Sequence, residues 1–218
     1  MNRPAVVSAA EWQKAREALL AKEKEHTRAL DALAAERRRL PMVRLSTDYE
    51  FTAPNGTTEK LADLFDGKQE LVIYHFMLAA GSDHICGGCG SFTDNLPHDQ
   101  THLNARDTRL ILMSPAPHKQ ITAVQNRFGW TLPWYSAYGN NFYTDLNLGG
   151  GFGLSVLLQD NEDIFRTYHT AGRGVDRLRA DFNLLDLTPY GRKEAWEDSP
   201  EGWPQEPTWN RVKLRDEY

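Results

Sequence analysis

Cys86 and Cys89 are the residues whose type and spacing point most directly to chemistry. They are the only cysteines among 218 residues, and two glycines separate them in GSDHICGGCGSF at residues 81–92. A first cysteine at a helix start faces unpaired backbone amides, which stabilise the thiolate and lower its pKa. A second cysteine one helical turn later is placed to resolve a mixed disulfide. The spacing therefore predicts thiol–disulfide exchange, with Cys86 as nucleophile and Cys89 as resolving thiol.

Two other interpretations of the cysteine pair stay open. The spacing also suits half of a zinc site, with His84, His98 and His102 as the nearest further ligands. A structural site takes four ligands, and no second cysteine pair supplies the other two. The remaining alternative is a binding scaffold without redox chemistry, which would use the aromatic stretch at residues 130–136. We expect no metal and no bound organic cofactor, because the two sulfurs carry the electrons themselves.

Four further residues are candidates for the site. His75 interrupts an apolar run and is predicted to accept the proton of the buried cysteine, although a hydrogen-bonded core histidine is the alternative. Trp130 and Trp134 are predicted to contact substrate, with a packed loop as the alternative. Arg173 is predicted to hold an anionic substrate, with a structural ion pair as the alternative.

The segments around the cysteines have the pattern of a small α/β sheet. Residues 71–78 are apolar on both faces, which is typical of a central parallel strand, and a second such run covers 108–113. Helices are predicted from the cysteines to about 95 and over 115–128. A hairpin over 154–168 and a last amphipathic helix over 175–185 complete the order. The pair thus lies where a central strand gives way to a helix, the place where open α/β sheets bind ligands.

The N-terminal part of the chain precedes this sheet. Ser8 and Glu11 form a capping box, which predicts a helix from residue 9 to about residue 39. Asn55-Gly56 predicts a tight hairpin turn, followed by a short helix over 59–65. The long helix has too thin an apolar stripe to be stable alone, so we expect it to lean on the domain or to form a homodimer.

The predicted organisation has three parts. Residues 1–45 form an N-terminal helical extension, 46–190 the α/β domain, and 191–218 a C-terminal strap. The strap contains three tryptophans and three prolines, which indicates irregular chain lying on the domain.

Composition narrows the class of protein. Hydrophobic residues make up 40% and charged residues 25%, which is typical of a globular chain. A net charge of −5 gives no electrostatic footprint for nucleic acid. The longest apolar run, at 71–80, is about half of what a membrane helix needs, and no secretory leader is evident. We therefore expect a cytoplasmic protein with neither a nucleic-acid nor a membrane partner.

Several short motifs, spread over nearly the whole chain, occur together in one known family. They are Glu11-Trp12, LADLFDG at 61–67, YHFM at 74–77, the cysteine pair followed by SF, GW and PW within 129–134, RGVD at 173–176 and DLTP at 186–189. In this combination the chain resembles a bacterial family of unknown function with a thioredoxin-like fold, predicted to be dithiol–disulfide oxidoreductases. The resemblance implies a central mixed sheet flanked by helices, and a disulfide or dithiol substrate, either a protein or a small thiol.

The chain departs from better-known thioredoxin-like proteins at two places. Thioredoxins have a proline before the strand that faces the cysteines, whereas GLSV at 153–156 contains none. Peroxiredoxins have a proline and a threonine ahead of their reactive cysteine, whereas GSDHI at 81–85 contains neither. The first departure puts backbone docking of an extended substrate in doubt, and the second argues against a peroxidase of the usual kind.

Overall fold

The computed structural model describes residues 3–218, which form eight strands, six α-helices and two 3-10 helices. The strands are β1 (Val43–Arg44), β2 (Glu50–Thr52), β3 (Thr58–Lys60), β4 (Glu70–His75), β5 (Thr108–Ser114), β6 (Trp134–Ser136), β7 (Gly153–Asp160) and β8 (Asp163–Ala171). The α-helices are α1 (Ala9–Arg37), α2 (Gly87–Asp94), α3 (Thr101–Asn104), α4 (His118–Phe128), α5 (Phe142–Asp145) and α6 (Ala180–Leu185). The 3-10 helices are Asp63–Phe65 and Gly172–Leu178.

All eight strands belong to one mixed sheet with the order β1-β8-β7-β4-β5-β6-β2-β3. β4 pairs in parallel with β5, and β5 in parallel with β6. β7 and β8 continue the sheet on the other side of β4 as an antiparallel hairpin. The carboxyl end of β4 therefore lies at the centre of the sheet, and the chain that leaves it leads to the cysteines.

The sheet separates two apolar cores, and alternation along β4 decides which side chain enters which core. Tyr74 lies in one core together with Phe92 of α2. Ile73 lies in the other core. His75 follows Tyr74 by one residue and therefore points to the side of Ile73, away from α2.

The predicted long helix is confirmed, and Ser8 and Glu11 form the expected capping box. The helix ends at Arg37 rather than near residue 39. None of its residues is buried, and the Arg37 guanidinium lies 5.5 Å from the centre of the Tyr168 ring on β8. The helix thus meets the domain at its C-terminal end, while most of its length stands in solvent. None of the helices in residues 3–218 combines the length and the apolar character needed to cross a bilayer.

Three local predictions are wrong. Residues 59–65 are not one helix, because Thr58–Lys60 pairs with β2 across the Asn55-Gly56 turn and leaves only the 3-10 helix Asp63–Phe65. The last helix is split at Arg179, whose extended backbone separates the 3-10 helix Gly172–Leu178 from α6. Residues 134–136 are a strand beside β5 rather than a loop.

The C-terminal strap is irregular, as predicted. Within residues 191–218, all of them described, the pairing is limited to an isolated bridge between Glu194 and Glu206. Leu214 is 4% exposed and belongs to the core that contains Tyr74. The strap is therefore packed on the domain at the side of α2. The boundaries at residues 45 and 190 stay predictions, although Val43–Arg44 already pairs with β8.

Candidate functional site

Cys86 and Cys89 lie at the N-terminus of α2. Cys86 is the N-cap residue, with an extended backbone, and its Sγ accepts a hydrogen bond of 3.4 Å from the backbone N–H of Cys89. Its carbonyl accepts the next amide, from Gly90, at 2.9 Å. Both cysteines are free thiols. A cysteine at this position takes the place of the serine or aspartate that usually caps a helix. Its sulfur therefore accepts hydrogen bonds from backbone amides that have no partner within the helix.

The pKa values of the two thiols are shifted in opposite directions. The pKa of Cys86 is lowered to about 6, chiefly by a hydrogen bond from the Cys89 thiol, with further help from the backbone amides of Cys89 and Gly88 and from the charge of His84. The pKa of Cys89 is raised, because its proton is held by Cys86 and because the side chain is buried, with 1% exposed. At neutral pH the arrangement holds a Cys86 thiolate beside a protonated Cys89.

Tyr74 is a site residue that the sequence analysis missed. Its hydroxyl hydrogen-bonds the Cys89 sulfur, which also accepts the backbone N–H of Met77 at 3.5 Å. The ring stacks on Phe92 of α2, with 4.2 Å between ring centres. Burial raises the pKa of Tyr74 well above its ordinary value, so the hydroxyl stays protonated as a donor. Alternation along β4 was the available signal, because the residue before His75 faces α2.

The predicted role of His75 as proton acceptor for the cysteine is wrong. Its side chain faces the opposite side of β4, where Nε2 lies 2.8 Å from Ser155 Oγ and Nδ1 3.3 Å from the Tyr143 hydroxyl. Burial, followed by the charges of His169 and Arg166, lowers its pKa to about 3. The alternative interpretation, a neutral core histidine with both nitrogens hydrogen-bonded, describes its place in the structure.

Trp130 and Trp134 lie in the core rather than beside the cysteines. They are 4% and 0% exposed. The indole of Trp130 donates to Asp94 at 2.7 Å, and that of Trp134 donates to Ser114 at 3.0 Å. Neither ring has a face open to substrate, and the same burial removes the surface that the scaffold hypothesis needed.

Arg173 lies outside the cavity beside the cysteines. Its side chain is 63% exposed and its Nε is 3.6 Å from Asp176 Oδ2. The guanidinium also lies 3.6 Å above the ring of Trp196 in the strap. This geometry is that of the alternative interpretation, a structural ion pair.

A cavity of about 290 Å³ opens beside Cys86. Its apolar walls are Tyr74, Met77, Phe92, Phe152, Val175, Trp209 and Val212, and its polar wall residues are Asp176 and Arg179. Trp209 and Val212 come from the strap, about 120 residues after the cysteines, so no local pattern in the sequence predicts this wall.

The strap also explains the two glycines between the cysteines. A Cβ at Gly88 would lie 3.3 Å from Cζ3 of Trp209, and a Cβ at Gly87 would lie 3.3 Å from the Val212 carbonyl oxygen. Both distances are shorter than ordinary van der Waals contact. Glycine is therefore what allows the strap to lie directly on the turn that joins the two sulfurs.

The ligand set for a metal is incomplete. Within residues 3–218, His, Cys, Asp and Glu side chains form no group of three or more that would hold a metal ion. His98, one of the predicted further ligands, instead hydrogen-bonds Thr131 and the Thr93 carbonyl. Cys86 and Cys89 therefore supply two of the four ligands that a structural zinc site takes.

The solved structures to which the chain is similar include thioredoxin-like proteins. Peroxiredoxin Q from Xanthomonas campestris is 18% identical, with a TM-score of 0.41 over 64% of this chain and 92% of that one. Thioredoxin from Wuchereria bancrofti is 16% identical, with a TM-score of 0.39 over 56% and 83%. The structure confirms the central mixed sheet, the flanking helices and the long N-terminal helix that the sequence predicts. Scores at this level carry no argument about activity, which rests on the geometry above.

Comparison with whole families gives the assignment of the chain. A search of curated proteins finds no match. One family model, described as "Bacterial protein of unknown function (DUF899)", matches residues 1–218. The family resemblance seen in the motifs is thereby confirmed. The chain is a member of this bacterial family of unknown function.

Proposed function

We propose that the protein is a thiol–disulfide oxidoreductase in which Cys86 is the nucleophile and Cys89 the resolving thiol. The observation that supports this most strongly is that two thiols one helical turn apart have pKa values shifted in opposite directions. The pKa of Cys86 is lowered to about 6 at the N-cap of α2, and that of the buried Cys89 is raised. A thiolate that exists at neutral pH, next to a protonated partner, is the reactant that disulfide exchange requires.

The first step breaks the disulfide of the substrate. The Cys86 thiolate attacks one substrate sulfur, a mixed disulfide forms on Cys86, and the other substrate sulfur leaves as a thiolate. The negative charge thereby passes from Cys86 to the departing sulfur. The hydrogen bond that Cys89 donated to the thiolate is lost, and the raised pKa of Cys89 loses its principal cause.

The second step closes the protein disulfide. Cys89 gives up its proton, which neutralises a substrate thiolate, and its sulfur attacks Sγ of Cys86. The mixed disulfide breaks, and the second substrate thiolate leaves and takes a proton from solvent. Two electrons have passed from the protein to the substrate. The hydroxyl of Tyr74 and the amide of Met77 both donate to the Cys89 sulfur and stabilise its thiolate during the attack.

The reverse sequence oxidises a dithiol and thereby returns the protein from its disulfide to its reduced form. We place this cycle in the cytoplasm, where the thioredoxin and glutathione systems keep thiols reduced.

Trapping the mixed disulfide tests the two roles. The Cys89→Ser variant, mixed with excess hydroxyethyl disulfide, is expected to accumulate one adduct on Cys86, detected by the mass of the intact protein and of its peptides. Cys86→Ser is the matched control. It should form an adduct much more slowly, because Cys89 is buried and keeps its proton. Equal labelling of the two variants would contradict the assignment of nucleophile and resolving thiol.

A further inference from the structure

The strap controls what can reach Cys86. The Trp209 ring covers Gly88, and Val212 covers Gly87, so the surface over the turn between the cysteines is already occupied by the chain itself. Trp209 holds a left-handed backbone φ of 67°, which is unfavourable for a residue other than glycine and marks a segment fixed by its surroundings. Phe152, which precedes β7, also lines the cavity.

The remaining opening has the size and character of a small-molecule site. Its volume of about 290 Å³ is just below the roughly 300–1,000 Å³ typical of ligand cavities, so it suits a small ligand. Aromatic and aliphatic side chains form most of the wall. A disulfide on a folded protein would have to bring its backbone to Cys86 across the strap, whereas a small disulfide needs only the cavity.

The two polar wall residues, Asp176 and Arg179, each pair with an opposite charge, but each also has an atom without a hydrogen-bond partner among the described residues. Arg179, 2% exposed, lies 2.5 Å from Asp181, and Asp176, 8% exposed, lies 2.9 Å from Arg192. Yet Nη1 of Arg179 and Oδ1 of Asp176 are buried and find no hydrogen-bond partner in the described chain, residues 3–218. One atom needs an acceptor and the other needs a donor. A neutral group that is both, such as a carboxamide, supplies them without adding a charge to balanced pairs.

We propose that the substrate of this cavity is a low-molecular-weight disulfide, or the corresponding dithiol, with an apolar body and a neutral amide-like polar group, and that the strap excludes protein disulfides. This proposal rests on the proposed function. The covalent steps are those given above, with the small disulfide as oxidant: it takes up two electrons and two protons and leaves as two thiols, while Cys86 and Cys89 form a disulfide.

Matched probes test the predicted chemistry of the substrate. The reduced full-length protein is mixed with dithiodibutyramide, dithiodibutyric acid or cystamine, and formation of the protein disulfide is followed by mass. Each rate is divided by the rate at which free dithiothreitol reduces the same probe, which removes intrinsic reactivity. We expect the amide to react at least about tenfold faster than the charged probes, because only it satisfies both buried atoms without an unpaired charge. Equal normalised rates, or a faster charged probe, would overturn the choice of a neutral group.

Insulin tests the exclusion of proteins. We expect no reduction of its disulfides by the wild-type protein and measurable reduction by Trp209→Ala, which opens the wall over Gly88. Trp203→Ala is the matched control, since that tryptophan belongs to the same strap but packs on Tyr190 and does not line the cavity. Wild-type protein that reduces insulin as fast as Trp209→Ala does would overturn this proposal and leave the proposed function standing. Failure of the proposed function would show differently, as cysteines that form no disulfide with any probe.

Discussion

At the scale of single residues, the division of labour between the cysteines follows from one helical turn. Cys86 occupies the N-cap, where backbone amides converge, and Cys89 follows within α2, where the core removes it from water. The same hydrogen bond between the thiols lowers one pKa and raises the other. The spacing therefore predicts which of the two thiols is the more acidic, provided that a helix begins at the first cysteine.

The acidity of Cys86 leads to a prediction about pH. Alkylation by iodoacetamide follows the thiolate, so its rate should rise with a midpoint near pH 6, below the roughly 8.5 of free cysteine. His84→Gln should move the midpoint upward, because the charge of His84 contributes to the lowered pKa. His26→Gln, a substitution of an exposed histidine on α1, is the control and should leave the midpoint unchanged. A wild-type midpoint above pH 8 would contradict the account of the thiolate.

Tyr74 gives a second prediction at this scale. Tyr74→Phe keeps the ring stacked on Phe92 but removes the hydrogen bond to Cys89, so the Cys89 thiolate becomes less stable. Closure of the protein disulfide should slow by up to about fivefold, which corresponds to a hydrogen bond worth about 1 kcal/mol. Stopped-flow and quenched-flow mass analysis should show an unchanged first step and a longer-lived mixed disulfide. Tyr49→Phe, which loses a hydrogen bond to Asp145 in the other core, is the control. A slowed first step would show that Tyr74 acts differently.

The site could be predicted from sequence only where its parts are local. The cysteine pair and the helix that starts there are contiguous, so spacing identified them. His75 was misassigned because neighbouring strand residues face opposite sides, and a shift of one residue exchanges the two cores. Trp209 and Val212 reach the cavity through tertiary packing of an irregular strap, for which no local pattern exists.

At the scale of elements, the strands β4, β7 and β8 share a polar chain that leads from the buried His75 and Ser155 to the exposed His169. His75 contacts Ser155, whose hydroxyl oxygen lies 3.0 Å from Nδ1 of His169. Since the Tyr143 hydroxyl donates to the Met113 carbonyl, His75 Nδ1–H donates to Tyr143 and Nε2 accepts from Ser155. All hydrogen bonds of this polar chain can form only while His75 is neutral.

This polar chain predicts a loss of stability in acid. The pKa of His75 is about 3 in the folded protein and about 6.5 when unfolded, so between these values only the unfolded state takes up the proton. The free energy of unfolding should therefore fall as pH decreases below about 6.5, by about 2 kcal/mol at pH 5 from this residue. Urea titrations should show a smaller fall in His75→Gln, whereas His26→Gln should behave as wild type. Equal pH dependence in all three proteins would contradict the assignment.

The predictions of elements failed where tertiary pairing overrode local pattern. Residues 59–65 have the composition of a helix, but the Asn55-Gly56 turn brings Thr58–Lys60 against β2 and the strand pairing prevails. β6 is only three residues long, which is too short for the alternation of a strand to be recognised in the sequence. The long runs at β4 and β5 were predictable, because central strands are apolar on both faces.

At the scale of the whole molecule, α1 contacts the rest of the described chain at its C-terminal end and is otherwise exposed. It has 29 residues, none buried, and it carries exposed apolar side chains at Trp12, Leu19, Leu30 and Leu33. A helix of this length with a thin stripe is not stable in isolation, which favours burial against a second copy of the chain. We therefore propose a homodimer formed through α1.

Light scattering tests the dimer. We expect the mass of two chains for the wild-type protein and of one chain for the double variant Leu19→Glu/Leu30→Glu, because charges on the stripe oppose its burial. Leu187→Glu changes a side chain that is 81% exposed outside α1 and should stay dimeric. A wild-type mass of one chain would contradict the proposal.

The central claim is that Cys86 and Cys89 form a working redox pair, and a redox titration tests it most directly. The purified protein is equilibrated in glutathione buffers of known potential, and free thiols are counted by mass after alkylation. We predict a single two-electron transition between the dithiol and the intramolecular disulfide, at roughly −120 to −270 mV. Both thiols remaining reduced throughout that range would contradict the account.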